Sequence, residues 1–156
     1  MHIRLLAVGD RQPSWVDTAF DNYGKRLPRQ WQFRLEVIAT APGQKNSKRD
    51  SAMAAEGKKV LAKIRAPELV IVLDVDGKEF SSHEFAARLQ DWQADGRDLT
   101  FVIGGPDGVS AACLDRADVR WSLSKLTLPH GLARVLFMEQ LYRAWSLTAG
   151  HPYHRA

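Results

Sequence analysis

Apolar and polar positions along the chain follow two alternating patterns, one typical of strands and one typical of helices. Continuous aliphatic and β-branched runs lie within Glu68–Val75 and over Leu99–Ile103, and such runs are typical of central strands in a parallel sheet. Three further segments, His2–Val8, Phe33–Ala39 and Val119–Leu123, have the pattern of strands as well. The sequence therefore predicts five strands.

Segments with helical spacing separate these strands. In the first of them, Trp15, Phe20 and Tyr23 recur at intervals that place them near one face of a helix. We predict helices over Ser14–Arg26, Asp50–Ile64, Ser82–Ala94, Val109–Arg116 and Pro129–Ala149. Candidate N-caps are Asp50 or Ser51 for the second helix and Ser81 or Ser82 for the third. We also expect a turn at Asp76-Gly77 and a mobile polar loop over 41–49.

Strands interleaved with helices predict an α/β fold: a mostly parallel sheet with helices on both faces, in a single domain over residues 1–156. Ligands of such sheets bind beyond the carboxyl ends of the strands. Three of these ends lie at Leu73–Asp76, Gly104–Gly108 and Ser124–Pro129. If their strands are neighbours, the three segments form one crevice.

The composition is that of an ordinary globular protein, with 45% hydrophobic residues. A single cysteine, Cys113, excludes an intrachain disulfide and a site with several cysteine ligands. Its apolar surroundings favour a buried helix position over a reactive thiol. The apolar run after Met1 is too short for a signal peptide, and no run approaches the length of a membrane span. We therefore expect a cytoplasmic protein without a membrane-spanning segment.

Charge is segregated along the chain, whose net charge is +4. Residues 40–66 carry seven Lys and Arg against two acidic residues, and residues 121–156 carry four against one. The intervening segment is acidic. Such segregation can form a basic face for phosphates. A solvated helix flank explains the segment around 45–65 equally well, and both interpretations stay open.

A glycine-rich turn, Gly104-Gly-Pro-Asp-Gly108, follows the fourth strand. It has neither the Lys-Ser/Thr of a phosphate-binding P-loop nor the spacing of a dinucleotide site. Glycines after a buried strand let the backbone approach a ligand closely. The alternative is a strand-to-helix turn that only needs a positive φ.

A second loop, Ser122–Pro129, mixes leucines with free backbone groups. Apolar faces beside backbone N–H and C=O groups suit an adenine ring. Thr127 is also expected to cap the helix that follows, and Pro129 suits the first turn of that helix.

The last predicted helix carries more apolar side chains than one face can hold: Leu132, Val135, Leu136, Phe137, Met138, Leu141, Trp145 and Leu147. Either the helix is buried on two sides within one chain, or one side meets another subunit, and we favour the subunit interface. Glu139 and Arg143 stand four residues apart, which predicts a salt bridge along the helix.

The carboxyl-terminal tail combines His151, Tyr153, His154 and Arg155. Tyrosine and histidine rings can stack on an unpaired base, and arginine can bind phosphate. A tail without a role is the alternative. No cluster with metal-ligand spacing and no Ser-His-acid pattern is present in the sequence.

Taken in order, several motifs resemble the RlmH-type ribosomal RNA methyltransferases over nearly the whole chain: Leu73-Asp74, Gly77-Lys78, Ser81-Ser82, Ile103–Gly108, Ser122–His130, Glu139–Ala144 and Pro152–Arg155. The resemblance implies the SPOUT class, with a trefoil knot near the carboxyl terminus, S-adenosylmethionine in the knot loops and an obligate homodimer. It also implies methylation of N3 of a pseudouridine in a stem-loop of large-subunit (23S) ribosomal RNA.

The same resemblance assigns roles to residues of this chain. Cofactor-binding positions fall on Leu73, Gly104, Gly105, Leu123, Ser124, Lys125, Leu126, Thr127 and Leu128. His130 and Tyr153 are expected to contact the substrate RNA, and Arg143, His154 and Arg155 to act in catalysis. Because the sulfonium methyl is already activated, direct in-line displacement needs no metal.

Two other hypotheses stay open at this point. The chain could be an RNA-binding or ribosome-assembly module that holds an adenosine ligand without catalysis, or an enzyme that uses the glycine turn on a small nucleotide. Transfer of a labelled methyl group to ribosomes separates methyl transfer from both.

Overall fold

Five parallel strands form one sheet in the order β2-β1-β4-β3-β5. The computed structural model describes residues 1–9, 11–41 and 49–155. The strands are β1 (Ile3–Val8), β2 (Arg34–Ile38), β3 (Leu69–Glu79), β4 (Leu99–Ile103) and β5 (Val119–Ser122). The predicted α/β fold with its parallel sheet is confirmed.

Helices cover both faces of the sheet, as the sequence predicts. They are α1 (Ser14–Gly24), α2 (Arg49–Lys63), α3 (Ser82–Ala94), α4 (Ala111–Arg116) and α5 (His130–Ala149), with short 3-10 helices at Arg29–Trp31 and Pro152–Arg155. On one face, α5 packs between α1 and α3, and on the other face α2 packs beside α4.

The two faces have different cores. Beneath α3 and α5 lies an aromatic cluster, in which the rings of Phe85 and Trp121 are 4.3 Å apart and those of Phe101 and Phe137 are 4.8 Å apart, centroid to centroid. Beneath α2 and α4 the core is aliphatic. Because side chains alternate along each strand, strands buried on both faces need the continuous apolar runs found in the sequence. Cys113 is buried in the second core, so its predicted structural position is confirmed.

The predicted turn at Asp76-Gly77 is wrong, because both residues lie within β3. Leu73 and Lys78 both pair with Trp121 of β5, so the four residues between them form a detour within the strand. At Gly77 a Cβ would lie 2.7 Å from the backbone of Arg120. The glycine therefore permits close approach of two strands instead of ending one.

Two of the predicted caps are also wrong. Helix α2 begins at Arg49, which places Asp50 and Ser51 inside its first turn. Helix α5 follows Pro129 without a side-chain cap, so Thr127 does not cap it. Ser81 does cap α3, in a reciprocal capping box with Glu84.

Some sequence predictions fall beyond the described residues. They concern residues 42–48 of the expected polar loop, with Lys45 and Lys48 of the basic segment. Within the described ranges, no helix combines the length and apolar character that a membrane crossing requires.

Candidate functional site

The carboxyl ends of β4 and β5 lie on either side of the point in β3 where its regular pairing is interrupted, after Leu73. Leu73 of β3 pairs with Ile103 of β4 on one side and with Trp121 of β5 on the other. Gly104 follows Ile103 directly, and Leu123 follows β5. The three segments predicted to form a crevice are therefore neighbours, and we call this region the carboxyl edge: residues 73–77, 104–108 and 123–130.

The glycine turn of this edge is tightly folded. The Gly108 N–H donates a hydrogen bond to the Gly105 carbonyl at 3.0 Å, and only Gly108 of the turn has a positive φ, +95°. A Cβ on Gly104 would lie 2.6 Å from the Gly108 oxygen. The turn therefore needs glycine at 108 for backbone conformation and at 104 for space.

A buried carboxylate that sequence reasoning missed lies against the turn from the α2 side. One oxygen of Glu56 accepts a hydrogen bond from the Ala41 N–H at 3.1 Å. The other would lie 2.9 Å from a Cβ on Gly105. A signal was present in the sequence, because Glu56 stands midway between Ala52 and Val60, four residues from each, on the buried face of α2.

The loop after β5 is held by serines and presents leucines. The Ser122 hydroxyl donates to the Ser124 carbonyl at 2.9 Å, and the Ser124 hydroxyl accepts from the Leu126 N–H at 2.9 Å. Leu126 is 73% exposed. In the part of the chain that the structure describes, no backbone–backbone hydrogen bond outside regular elements involves residues 125–128. Apolar surface and available backbone polar groups therefore coincide here.

His130, the predicted RNA contact, has both ring nitrogens engaged within the chain. Nδ1 is 3.0 Å from the Gly104 carbonyl oxygen, and Nε2 accepts a hydrogen bond from Nε of Arg134 at 2.8 Å. Burial lowers the pKa of His130, the Arg134 charge lowers it further, and the Gly104 carbonyl opposes both. Arg134 is buried and sequence reasoning missed it.

The other predicted substrate and catalytic residues form a second cluster, where the tail packs on α5. Nε and Nη2 of Arg143 donate to one oxygen of Glu139 at 2.9 and 2.6 Å, which confirms the predicted salt bridge and raises the pKa of Arg143. The Tyr153 hydroxyl donates to the same oxygen at 3.0 Å. Burial, together with hydrogen bonds to Tyr23 and Glu139, raises the pKa of Tyr153, so the phenol stays protonated.

An open cleft of about 460 Å³ lies beside this tail cluster. It is lined by Ser82, His83, Gln140, Arg143, Leu147 and His154. Two predicted catalytic residues, Arg143 and His154, thus share one cleft, while Arg155 is exposed. Within the described chain, Nδ1 of His154 is buried without a hydrogen-bond partner.

The carboxyl edge and the tail cluster are far apart in one chain. His130 begins α5 at the carboxyl edge, and Arg143 stands thirteen positions further along the same helix. At 1.5 Å per residue, this spacing separates them by about 20 Å along the axis. The predicted site residues therefore form two groups rather than one. Among the described residues, no group of three or more His, Cys, Asp or Glu could hold a metal ion.

The sequence of the whole chain decides its family. A family model described as "Predicted SPOUT methyltransferase" matches residues 1–154. The chain belongs to the SPOUT methyltransferase family. The family resemblance and the α/β fold that it implies are confirmed, while the trefoil knot stays a prediction.

Curated relatives of this SPOUT methyltransferase match it from end to end. "Ribosomal RNA large subunit methyltransferase H" of Chromohalobacter salexigens is 52% identical over 157 residues, which cover 99% of this chain and 100% of the relative. The protein of the same name from Saccharophagus degradans is 47% identical over 155 residues, with 99% and 100% covered.

A solved structure has the same fold. It is described as a ribosomal RNA small subunit methyltransferase E from Neisseria gonorrhoeae bound to S-adenosyl methionine. It aligns with a TM-score of 0.50 and 9% identity, over 90% of this chain and 65% of that one. At this identity the likeness supports the fold alone.

Proposed function

We propose that this SPOUT methyltransferase transfers a methyl group from S-adenosylmethionine to N3 of a pseudouridine in large-subunit (23S) ribosomal RNA. The observation that carries the proposal is the end-to-end match to relatives named ribosomal RNA large subunit methyltransferase H, at 52% and 47% identity. The site chemistry of the carboxyl edge agrees with it.

Residues of the carboxyl edge fit this methyl donor. Leu126 is exposed, and Leu73 and Leu123 are partly buried beside it along the edge, so apolar side chains are available for an adenine ring. Apart from the Leu126 N–H, which donates to the Ser124 hydroxyl, backbone groups of residues 125–128 make no hydrogen bond within the described chain that would compete with the edge of the base. When bound, S-adenosylmethionine supplies a methyl group on a positively charged sulfur, which a ring nitrogen can attack directly.

The chain's own residues have to hold the target ring and favour loss of its N3 proton. The Tyr153 ring is suited to stacking on an unpaired base, and the Arg143 and Arg155 guanidinium groups to stabilising negative charge on the ring oxygens. His154 lines the same cleft as Arg143. Since Glu139 engages only Nε and Nη2 of Arg143, part of that guanidinium stays available for RNA. Correct positioning can lower the barrier by about 7–11 kcal/mol at best.

A homodimer would bring the two groups of site residues together. Because about 20 Å of α5 separates the groups in one chain, we propose that the tail of one subunit meets the carboxyl edge of its partner. Trp15 is 55% exposed and Leu132 is 41% exposed. α1 and α5 approach closely at Val16 and Gly131, where a Cβ on the glycine would lie 2.9 Å from the valine. Trp15 and Leu132, the chain neighbours of these two residues, therefore flank this contact. That patch is the proposed subunit contact.

Methyl transfer from labelled S-adenosylmethionine tests the proposal. Free large-subunit RNA, isolated large subunits and assembled ribosomes are assayed side by side with the purified protein. We expect labelling of at least one of them, and the preferred one identifies the substrate. Donor binding without labelling of any of the three would favour a non-catalytic RNA-binding module. With a ribosomal substrate, we also propose that the reaction takes place in the cytoplasm.

A further inference from the structure

A buried pair of polar side chains connects the start of α5 to the glycine turn. His130 contacts the Gly104 carbonyl through Nδ1 and accepts from Arg134 through Nε2. We propose that His130 and Arg134 are positioning residues: together they hold the Gly104 turn in the conformation that binds S-adenosylmethionine, and His130 does not contact RNA. The inference rests on the proposed function for the identity of the ligand.

The geometry fixes the proton on the His130 ring. A guanidinium group has donors and no acceptor, so the ring nitrogen that faces Nε of Arg134 at 2.8 Å must carry a lone pair. In a neutral imidazole the single proton then sits on Nδ1. Nδ1–H therefore donates to the Gly104 carbonyl at 3.0 Å. By donating to Nε2, Arg134 selects the ring tautomer that makes this hydrogen bond possible.

Burial and charge indicate that the His130–Arg134 pair has a role beyond packing. Arg134 is 3% exposed, and its Nη2 is buried without a hydrogen-bond partner in the described part of the chain. A buried arginine with an unpaired nitrogen is costly, which argues for a role beyond packing. Burial lowers the pKa of Arg134, and the charge of Asp17 on α1 opposes this effect. At Gly9, beyond β1, a Cβ would lie 3.1 Å from both Nη2 of Arg134 and Nε2 of His130, so the glycine leaves room for the pair.

Both ring nitrogens of His130 are thus used inside the protein, and the ring has no nitrogen left for RNA. We therefore expect substitution of His130 to weaken the binding of S-adenosylmethionine and to leave the binding of RNA unchanged. This separates the proposed role from the RNA contact that the family resemblance implies for the same residue.

Calorimetry with S-adenosylmethionine, together with KM for ribosomal RNA, tests the assignment. His130→Ala is expected to weaken donor binding roughly three- to tenfold, the loss for one neutral hydrogen bond. His130→Asn restores it, because the asparagine amide can donate to Gly104 from the Nδ1 position. KM for RNA stays unchanged in both variants. His2→Asn is the matched control, because His2 is exposed beside the opposite end of β1.

Two further readouts do not depend on activity. Hydrogen exchange at the Gly108 amide, which closes the turn, should accelerate in His130→Ala and recover in His130→Asn. Nitrogen NMR of the ring should show the Nδ1–H tautomer in the wild-type protein and lose this preference in Arg134→Met.

Unchanged exchange in His130→Ala, or a raised KM for RNA with unchanged donor affinity, would overturn the inference. Failure of the wild-type protein to bind S-adenosylmethionine would instead contradict the proposed function. In that case the exchange and tautomer measurements still decide whether the pair holds the turn.

Discussion

At the scale of single residues, the two adjacent glycines of the turn differ in what surrounds them. A Cβ on Gly104 would lie 2.6 Å from the backbone oxygen of Gly108, which cannot move without opening the turn. A Cβ on Gly105 would meet the Glu56 carboxylate at 2.9 Å and a Val8 methyl at 3.2 Å, and both are ends of side chains. Substitution at 104 should therefore be the more damaging.

We expect Gly104→Ala to weaken S-adenosylmethionine binding by more than about tenfold, since overpacking against backbone typically costs about 1–3 kcal/mol. Gly105→Ala should weaken it less, and the larger Gly105→Val should abolish it while the fold survives. Calorimetry measures the affinities, and circular dichroism monitors the fold. Equal losses in the two alanine variants would contradict the steric argument.

The lowered pKa of His130 predicts a pH dependence of stability. In the unfolded chain a histidine takes up its proton near pH 6.5, whereas burial and Arg134 keep His130 neutral to lower pH in the folded protein. The unfolded state then binds more protons, so wild-type stability falls as pH drops below about 6.5.

His130→Asn lacks this proton uptake. Its free energy of unfolding should therefore fall less than that of the wild-type protein between about pH 7.5 and about pH 5. Denaturant titrations at both pH values measure the difference. Parallel curves for the two proteins would show that His130 titrates normally in the folded state.

Individual site residues could be predicted from the sequence only where their neighbours along the chain form a recognisable pattern. The glycine turn was recognisable because glycines after an apolar run are a local pattern. Glu56 was missed because Ala41 and Gly105, which it lies against, are distant along the chain. Arg134 was missed because its neighbour His130 contacts Gly104, which is 26 residues away. The positioning of the turn becomes visible only when β4, α2 and α5 are brought together.

At the scale of elements, strands and helices were predicted within a few residues because apolar spacing reports burial directly. The errors concern element ends. Asp76-Gly77 has turn composition, yet pairing with β5 resumes at Lys78 and overrides it. Helix α5 is buried against both α1 and α3, which already accounts for Phe137, Met138 and Leu141. The apolar excess of α5 therefore supports a subunit contact less strongly than its sequence suggested.

Removal of the tail should impair the use of RNA without impairing the binding of S-adenosylmethionine. Deletion of residues 153–156 should reduce methylation of RNA by about tenfold or more, because base–aromatic stacking contributes roughly 1–3 kcal/mol. Donor affinity should stay nearly constant. Tyr153→Phe keeps the ring and removes only the hydroxyl with its hydrogen bonds to Glu139 and Tyr23, so it should retain most of the activity. Full methylation by the truncated protein would assign the tail no role.

At the scale of the whole molecule, the proposed homodimer predicts complementation between two impaired proteins. One subunit carries Gly104→Val and the other lacks residues 153–156. In a mixed dimer the truncated subunit still offers an intact carboxyl edge, and the glycine variant still offers an intact tail. One complete site therefore forms.

Mixing the two proteins under conditions that exchange subunits should raise methyl transfer well above that of either protein alone. Sedimentation should give about 35 kDa, twice the 17.5 kDa of one chain, as expected for an isologous pair. A dimer without restored activity would mean that each site lies within one subunit. An active 17.5 kDa monomer would contradict the dimer itself.

The proposed activity is methyl transfer to N3 of a pseudouridine in large-subunit ribosomal RNA. The most direct measurement combines purified protein, S-adenosylmethionine and ribosomes that lack the modification, followed by nucleoside mass spectrometry of the large-subunit RNA. We expect one new N3-methylated pseudouridine for each methyl group consumed, in the wild-type reaction and not with Gly104→Val. An unmodified large-subunit RNA, or a methyl group on a different base, would contradict it.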